Sequence, residues 1–362
     1  TIDSGVTSDF DFSVLDESYK QEATNVFYHS NLIHDFFANG EYPFNIDGLN
    51  FQMIAEINDY PYCNAWANGE TIHFFQAVDG SCETLSLSSD VIYHEYTHNM
   101  VKVLAPTLAE VYWGHTGNMN EAYADYFGCS LNDDPCMADH SFYGSGRDCL
   151  RSCDNSQRFP EDYDPEPHTA SMTISGSMWD IRKVVGQEIT DTLAMLALEY
   201  DPQTFQELAD NFIIVDDSFY GDGDLSNGAP HAELICNSFY INHGVYSDYC
   251  FDILPLIGIL DLPEKVEGQR YLNLTGSVGG TEFSSWELSY SHYGTTDWVL
   301  IRDSTELINS GNLFENFDLS NLGDGNVFRL VVENLSGSTM EVEFEMDVTL
   351  VSFDSPLDRD VL

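Results

Sequence analysis

Basic residues are the scarcest class in this 362-residue chain: 12 Lys and Arg stand against 61 Asp and Glu, a formal net charge of −49. Nucleic-acid binding needs a cationic face that displaces counterions, and anionic membrane surfaces repel a chain of this charge as well. Neither partner is expected. Long apolar runs are also missing. The longest stretch, residues 251–262, is interrupted by Asp252, Pro255 and Asp261, far short of the roughly 18 apolar residues of a spanning helix. No pair of cysteines is spaced C-x-x-C, which argues against cysteine-ligated zinc modules. An initial methionine and a basic-then-apolar leader are absent: the sequence opens at Thr1. It reads as a mature, secreted chain whose signal, and a propeptide if one existed, has been removed.

What is present suits an ordered globular protein, with 43% hydrophobic and 13% aromatic residues. Eight cysteines, an even number in local groups, read as disulfides formed in an oxidising compartment. Cys63–Cys82 and Cys236–Cys250 are the natural local pairs, and Cys129, Cys136, Cys149 and Cys153 are expected to pair among themselves. The acidic excess repels itself unless it is screened, which suggests a saline source, bound calcium, or both.

Hydrophobic periodicity divides the chain. Helical spacing runs through residues 18–39 by way of Val26, Phe27, Leu32, Ile33, Phe36 and Phe37, and residues 50–78 look strand-like. Further helices are expected at 87–104, opened by Ser88 or Ser89, at 117–129, 173–200, 203–215 and 230–243. After residue 252 the pattern changes to strict alternation, clearest in Met340-Glu341-Val342-Glu343-Phe344-Glu345-Met346-Asp347-Val348. Such alternation is that of half-buried antiparallel strands. The expected fold is therefore α+β: a first domain over 1–252, then a small antiparallel β-sandwich over 264–352.

His94-Glu95-Tyr96-Thr97-His98 contains H-E-x-x-H. On a helix, positions i and i+4 share a face, so both imidazoles can address one metal while Glu95 stands beside them to take a proton from water. A catalytic zinc needs three protein ligands and an open position. The third is Glu121, with 22 residues between it and His98 in a segment reading Asn120-Glu121-Ala122-Tyr123-Ala124-Asp125. Asp125 lies one turn beyond Glu121, where it can accept a hydrogen bond from a ligand histidine and fix its tautomer.

The combination H-E-x-x-H followed by N-E-A-x-x-D resembles the glutamate-zincin metallopeptidases typified by thermolysin and, more distantly, fungalysin. Over residues 20–247 the resemblance implies a two-lobed catalytic domain with the zinc helix between a β-rich N-terminal lobe and a helical C-terminal lobe. The segment Asn64-Ala65-Trp66-Ala67-Asn68-Gly69 is similar to the family strand that grips the substrate backbone, which implies Asn64 and Ala65 as substrate contacts. Tyr112 matches the tyrosine that meets the developing oxyanion, and Leu150-Arg151-Ser152 resembles the segment whose arginine, here Arg151, contacts a substrate carbonyl. Asn120 and Asp125 match the residues supporting the second and first histidine. His168, ahead of Ile174-Ser175-Gly176, resembles the transition-state histidine although three extra residues intervene. His231 competes for that role, and Asp164 or Asp162 would orient His168.

The resemblance implies hydrolysis of peptide bonds by a zinc-activated water, with Glu95 as general base and Tyr112 and His168 facing the oxyanion. One catalytic zinc and a monomer acting on peptide or protein substrates are expected. Calcium is a further expectation: Asp90 matches a family calcium ligand, Asp133 and Asp134 fall near another, and the loop Asp222-Gly223-Asp224 carries oxygen ligands too. The rival reading is an inactive pseudo-peptidase acting as a secreted adhesion protein. A third, a zinc amidase, fits the ligands but not the segment around Asn64.

Overall fold

The computed structural model describes residues 17–139, 141, 149–263, 265–292, 294–322 and 325–349. Residues 1–16 and 350–352 of the two expected domains lie outside them. The chain divides into two compact units, Thr1–Ser247 and Asp248–Leu362. Among the described residues no helix is long and apolar enough to cross a membrane.

The first unit opens with helix α1 (Glu17–Ala38). Its buried stripe is narrower than the periodicity suggested: Val26, Ile33 and Phe37 are enclosed, whereas Phe27 and Leu32 remain exposed. A small mixed sheet follows, built from β1 (Ile54–Pro61), β2 (Ala65–Ala67) and β3 (Thr71–Gln76) in the order β1-β3-β2. β1 runs parallel to β3 and β2 antiparallel to it, so β2 is an edge strand.

Helix α2 (Ser89–Leu104) is the centre of the unit. From Asp90 to Thr97 every residue is buried, polar ones included. A helix enclosed on all sides keeps buried polar groups only where they find partners or serve a site. α2 packs against α1 on one side and β2 on another, and along its length against α4. A short α3 (Pro106–Glu110) turns the chain into α4 (His115–Asn132). The close approach at this turn requires a glycine: a Cβ on Gly117 would stand 1.8 Å from the Tyr112 carbonyl oxygen. β4 (Cys136–Met137) and β5 (Arg151–Ser152) then form an antiparallel pair.

Residues 173–200 were expected as one helix and form parts of two. α5 (Pro167–Val185) begins six residues earlier, with Pro167 in its first turn, and α6 (Gln187–Leu198) follows. Gly186, at φ +87°, separates them; this left-handed conformation suits glycine and breaks a helix. α7 (Phe205–Tyr220), α8 (Ala232–Cys236) and a π turn (Asn237–Asn242) complete the unit.

The second unit holds α9 (Cys250–Ile253), β6 (Ile257–Asp261), β7 (Lys265–Glu267), β8 (Tyr271–Gly279), β9 (Phe283–His292), β10 (Val299–Ser304), β11 (Ile308–Asp318), β12 (Asn326–Asn334) and β13 (Thr339–Thr349). Two sheets result, ordered β10-β9-β12-β13-β7 and β11-β8-β6. In β13 the alternation is realised: Met346 and Val348 are buried while Glu341, Glu343 and Glu345 are exposed. Leu274 and Val278 from one sheet share an apolar cluster with Trp286, Leu288, Phe328 and Leu330 from the other. Pairing is antiparallel except between β13 and β7, which run parallel.

Cys63–Cys82 and Cys136–Cys149 are disulfides, and Cys236 and Cys250 are disulfide-bonded as well. The four middle cysteines do not all pair as expected: Cys129 and Cys153 are buried free thiols.

Candidate active site

Two helices bring the chemistry together. α2 carries His94 and His98 one turn apart, and α4 supplies Glu121 from the facing side. Ligand atoms of these three residues all lie within 4.8 Å of one another, a spacing that fits one metal ion. His94 Nε2 and His98 Nε2 are 3.2 Å apart. Glu121 Oε2 stands 3.3 Å from the first and 3.7 Å from the second.

The far nitrogen of each ring is held in place. His98 Nδ1 lies 2.9 Å from Asn120 Oδ1, an oxygen that can only accept, so this nitrogen donates. His94 Nδ1 sits 2.9 Å from Asp125 Oδ1, close but poorly aligned as a hydrogen bond. With each Nδ1 directed at its partner, the Nε2 atoms turn towards Glu121, and three potential ligand atoms converge. Glu121 Oε2 is buried, and among the described residues no donor reaches it in hydrogen-bonding geometry. A buried carboxylate oxygen left in this state is costly unless a cation completes it. The residues therefore fit a metal ion, and nitrogen and carboxylate donors of this number suit zinc.

The electrostatics agree. Burial by itself would lower the His94 pKa, but Asp125 and Glu121 outweigh it and lift the ring to about 10; the surroundings call for positive charge. Burial pushes Glu121 upward, yet His98, His94 and His168 carry it down to about 2. Burial, opposed by His94 and reinforced by Glu121, raises Glu95 to about 7. Burial lowers His98.

His168, on the first turn of α5, faces this cluster. Its Nε2 lies 3.4 Å from Glu121 Oε2 and its Nδ1 3.4 Å from the Tyr112 hydroxyl. Its orienting partner is Glu166, not Asp164 or Asp162: Glu166 Oε1 lies 2.7 Å from His168 Nδ1. The reason is local. Glu166 caps α5, its other oxygen accepting from Thr169 N at 3.0 Å, which folds the carboxylate back beside the histidine. Asp164 instead accepts from Glu166 N, and Asp162 from Arg158 N. The competing His231 is bonded to the buried Asp216, Nδ1 to Oδ1 at 2.6 Å.

Arg151, expected as a substrate contact, has a partner within the protein as well. Its Nε and Nη2 each donate at 2.7 Å to Asp125, a two-pronged pair that lowers the Asp125 pKa far below the ordinary carboxylate range against the effect of burial. Arg151 thus supports the residue that supports His94. Asn64 and Ala65 sit at the start of the edge strand β2, where Asn64 O accepts from Phe75 N and Ala65 pairs with Phe74. Of the suggested calcium residues, Asp90 and Asp134 line one polar pocket with Glu83, Asn132 and Asp139. Asp133 turns away to an ion pair with Arg182 at 2.9 Å.

No protein-family model matches the chain. Two curated relatives, both named extracellular elastase and both from Staphylococcus epidermidis, align with it. One is 27% identical over 157 residues, 40% of this chain and 30% of the relative. The other is 29% identical over 144 residues, 36% of this chain and 27% of the relative. The alignments therefore span less than a third of either relative. Among solved structures, the precursor of protealysin, a metalloproteinase from Serratia proteamaculans, superposes with a TM-score of 0.55 at 15% identity, over 68% of this chain and 82% of that one. The two proteins share a fold.

Proposed function

We propose that this chain, which resembles the thermolysin-like metalloproteases in sequence and fold, is a secreted zinc-dependent endopeptidase. The observation that carries the proposal is the convergence of His94 Nε2, His98 Nε2 and Glu121 Oε2 on one point, with the second nitrogen of His98 bonded to Asn120 and that of His94 close to Asp125. Those three residues would hold a single zinc. When bound, zinc supplies Lewis acidity, polarising the scissile carbonyl and making water a better nucleophile.

The remaining chemistry belongs to the chain. Glu95, buried next to His94, takes the proton of the attacking water and passes it to the leaving nitrogen. The Tyr112 hydroxyl and the His168 ring, held by Glu166, meet the charge that grows on the carbonyl oxygen. The free edge of β2 gives an extended peptide a strand to pair with at Asn64 and Ala65. Arg151 acts through Asp125. We assign hydrolysis to residues 1–252 in a two-lobed arrangement about α2, and read 264–352 as a β-sandwich, supported by the apolar cluster its two sheets share. Asp90 and Asp134 are our calcium ligands, with Asp133 less suited because Arg182 occupies it.

A fluorogenic peptide assay on the zinc-loaded chain tests this reading. Glu95→Gln should retain zinc and lower kcat by about 10²- to 10⁴-fold. Full activity in that variant would remove Glu95 from the mechanism. Zinc binding by the wild-type chain without any cleavage would favour the adhesion protein instead.

A further inference from the structure

Cys129 and Cys153 have no role in the site, and their placement is not accidental. α4 carries Glu121, Asp125 and Cys129 at successive i+4 positions, so all three lie on one face of the helix. Arg151, in β5, meets Asp125 through two bonds of 2.7 Å. From Asp125 to Cys129 the helix advances four residues, about 6 Å, and Cys153 follows β5 directly, in a bend two residues beyond Arg151. Both cysteines therefore lie a few residues beyond the Asp125–Arg151 contact, one on each segment. The two thiols are in side-chain contact and both are buried, at 0% and 2% exposure. The backbone agrees: Cys153 N donates to Pro135 O at 2.8 Å, and Asp134 N to Cys129 O at 3.2 Å, so adjacent residues of one turn hold both cysteines. The flanking Cys136–Cys149 disulfide pins the same segment.

We propose that Cys129 and Cys153 are joined by a disulfide in the mature protein, a cross-link between the helix that bears Glu121 and the strand that bears Arg151. The reaction is thiol–disulfide exchange. The two thiols lose two protons and two electrons to a small-molecule or protein disulfide, which is released as two thiols while the new S–S bond forms. Exchange occurs during folding, before both sulfurs are shielded from solvent. The link holds Arg151 over Asp125, and through Asp125 it steadies His94.

Peptide mapping of the full chain, folded in a glutathione redox buffer, tests the proposal without any need for activity. The chain is denatured in iodoacetamide without reductant and digested with pepsin. The expected result is no alkylated cysteine and a linked peptide pair containing Cys129 and Cys153. In Cys129→Ala, Cys153 should become alkylated. Alkylation of both residues in the wild-type chain would overturn the proposal, leaving two inert buried thiols. An unlabelled Cys153 in the Cys129→Ala variant would also overturn it, because that sulfur would be bonded elsewhere.

Discussion

Each candidate histidine ligand faces a partner suited to it: an uncharged amide oxygen for His98, and for His94 a carboxylate that Arg151 already neutralises. The second arrangement keeps a buried charge next to the site without leaving it uncompensated. Arg151→Met should therefore destabilise the fold by about 3–5 kcal/mol, read from chemical denaturation, because Asp125 would stay buried alone. Were Arg151 purely a substrate contact, stability would hold and only KM would rise. At this scale the sequence was most informative where chemistry is tied to helical spacing: His94, His98, Glu121 and Asp125 lie together, and Asn120, which the family resemblance implied, lies beside His98. It was least informative about Glu166. That residue does two jobs, capping a helix and orienting His168, and a Glu-Pro-His triplet displays only the first.

Among the elements, the junction of α4 and α6 carries an unusual carboxyl. Asp191 accepts from the Tyr126 and Ser130 hydroxyls, and burial raises its pKa to about 6 despite those bonds and Arg182. In the unfolded chain the same group titrates near 3.8. Between these values the native state holds the extra proton, so this contribution to stability is complete below about 3.8 and is lost as pH rises through about 6. Asp191→Asn should flatten that decline, seen as a smaller fall in Tm between pH ~4 and ~7; an unchanged slope would assign it to other groups. Elements with a clean period were legible, such as α2 and β13. α5 was not traced to its start because Pro167-His168-Thr169-Ala170-Ser171-Met172 carries almost no apolar residues at helical spacing. β11 lacks strict alternation, and its pairing with β8 shifts register three times.

For the whole molecule, charge dominates. A net −49 spread over 362 residues opposes compaction, and screening relieves it. Tm should rise steadily with sodium chloride as the screening length falls from about 30 Å at 0.01 M to about 3 Å at 1 M. A salt-independent Tm would mean that the acidic surface is already neutralised by bound cations. The most direct test of the whole account is anomalous diffraction from crystals of the zinc-loaded chain, recorded on either side of the zinc absorption edge. The account predicts a peak within bonding distance of His94 Nε2, His98 Nε2 and the Glu121 carboxylate, present only above the edge. A zinc-loaded crystal with no peak between those three residues would contradict it.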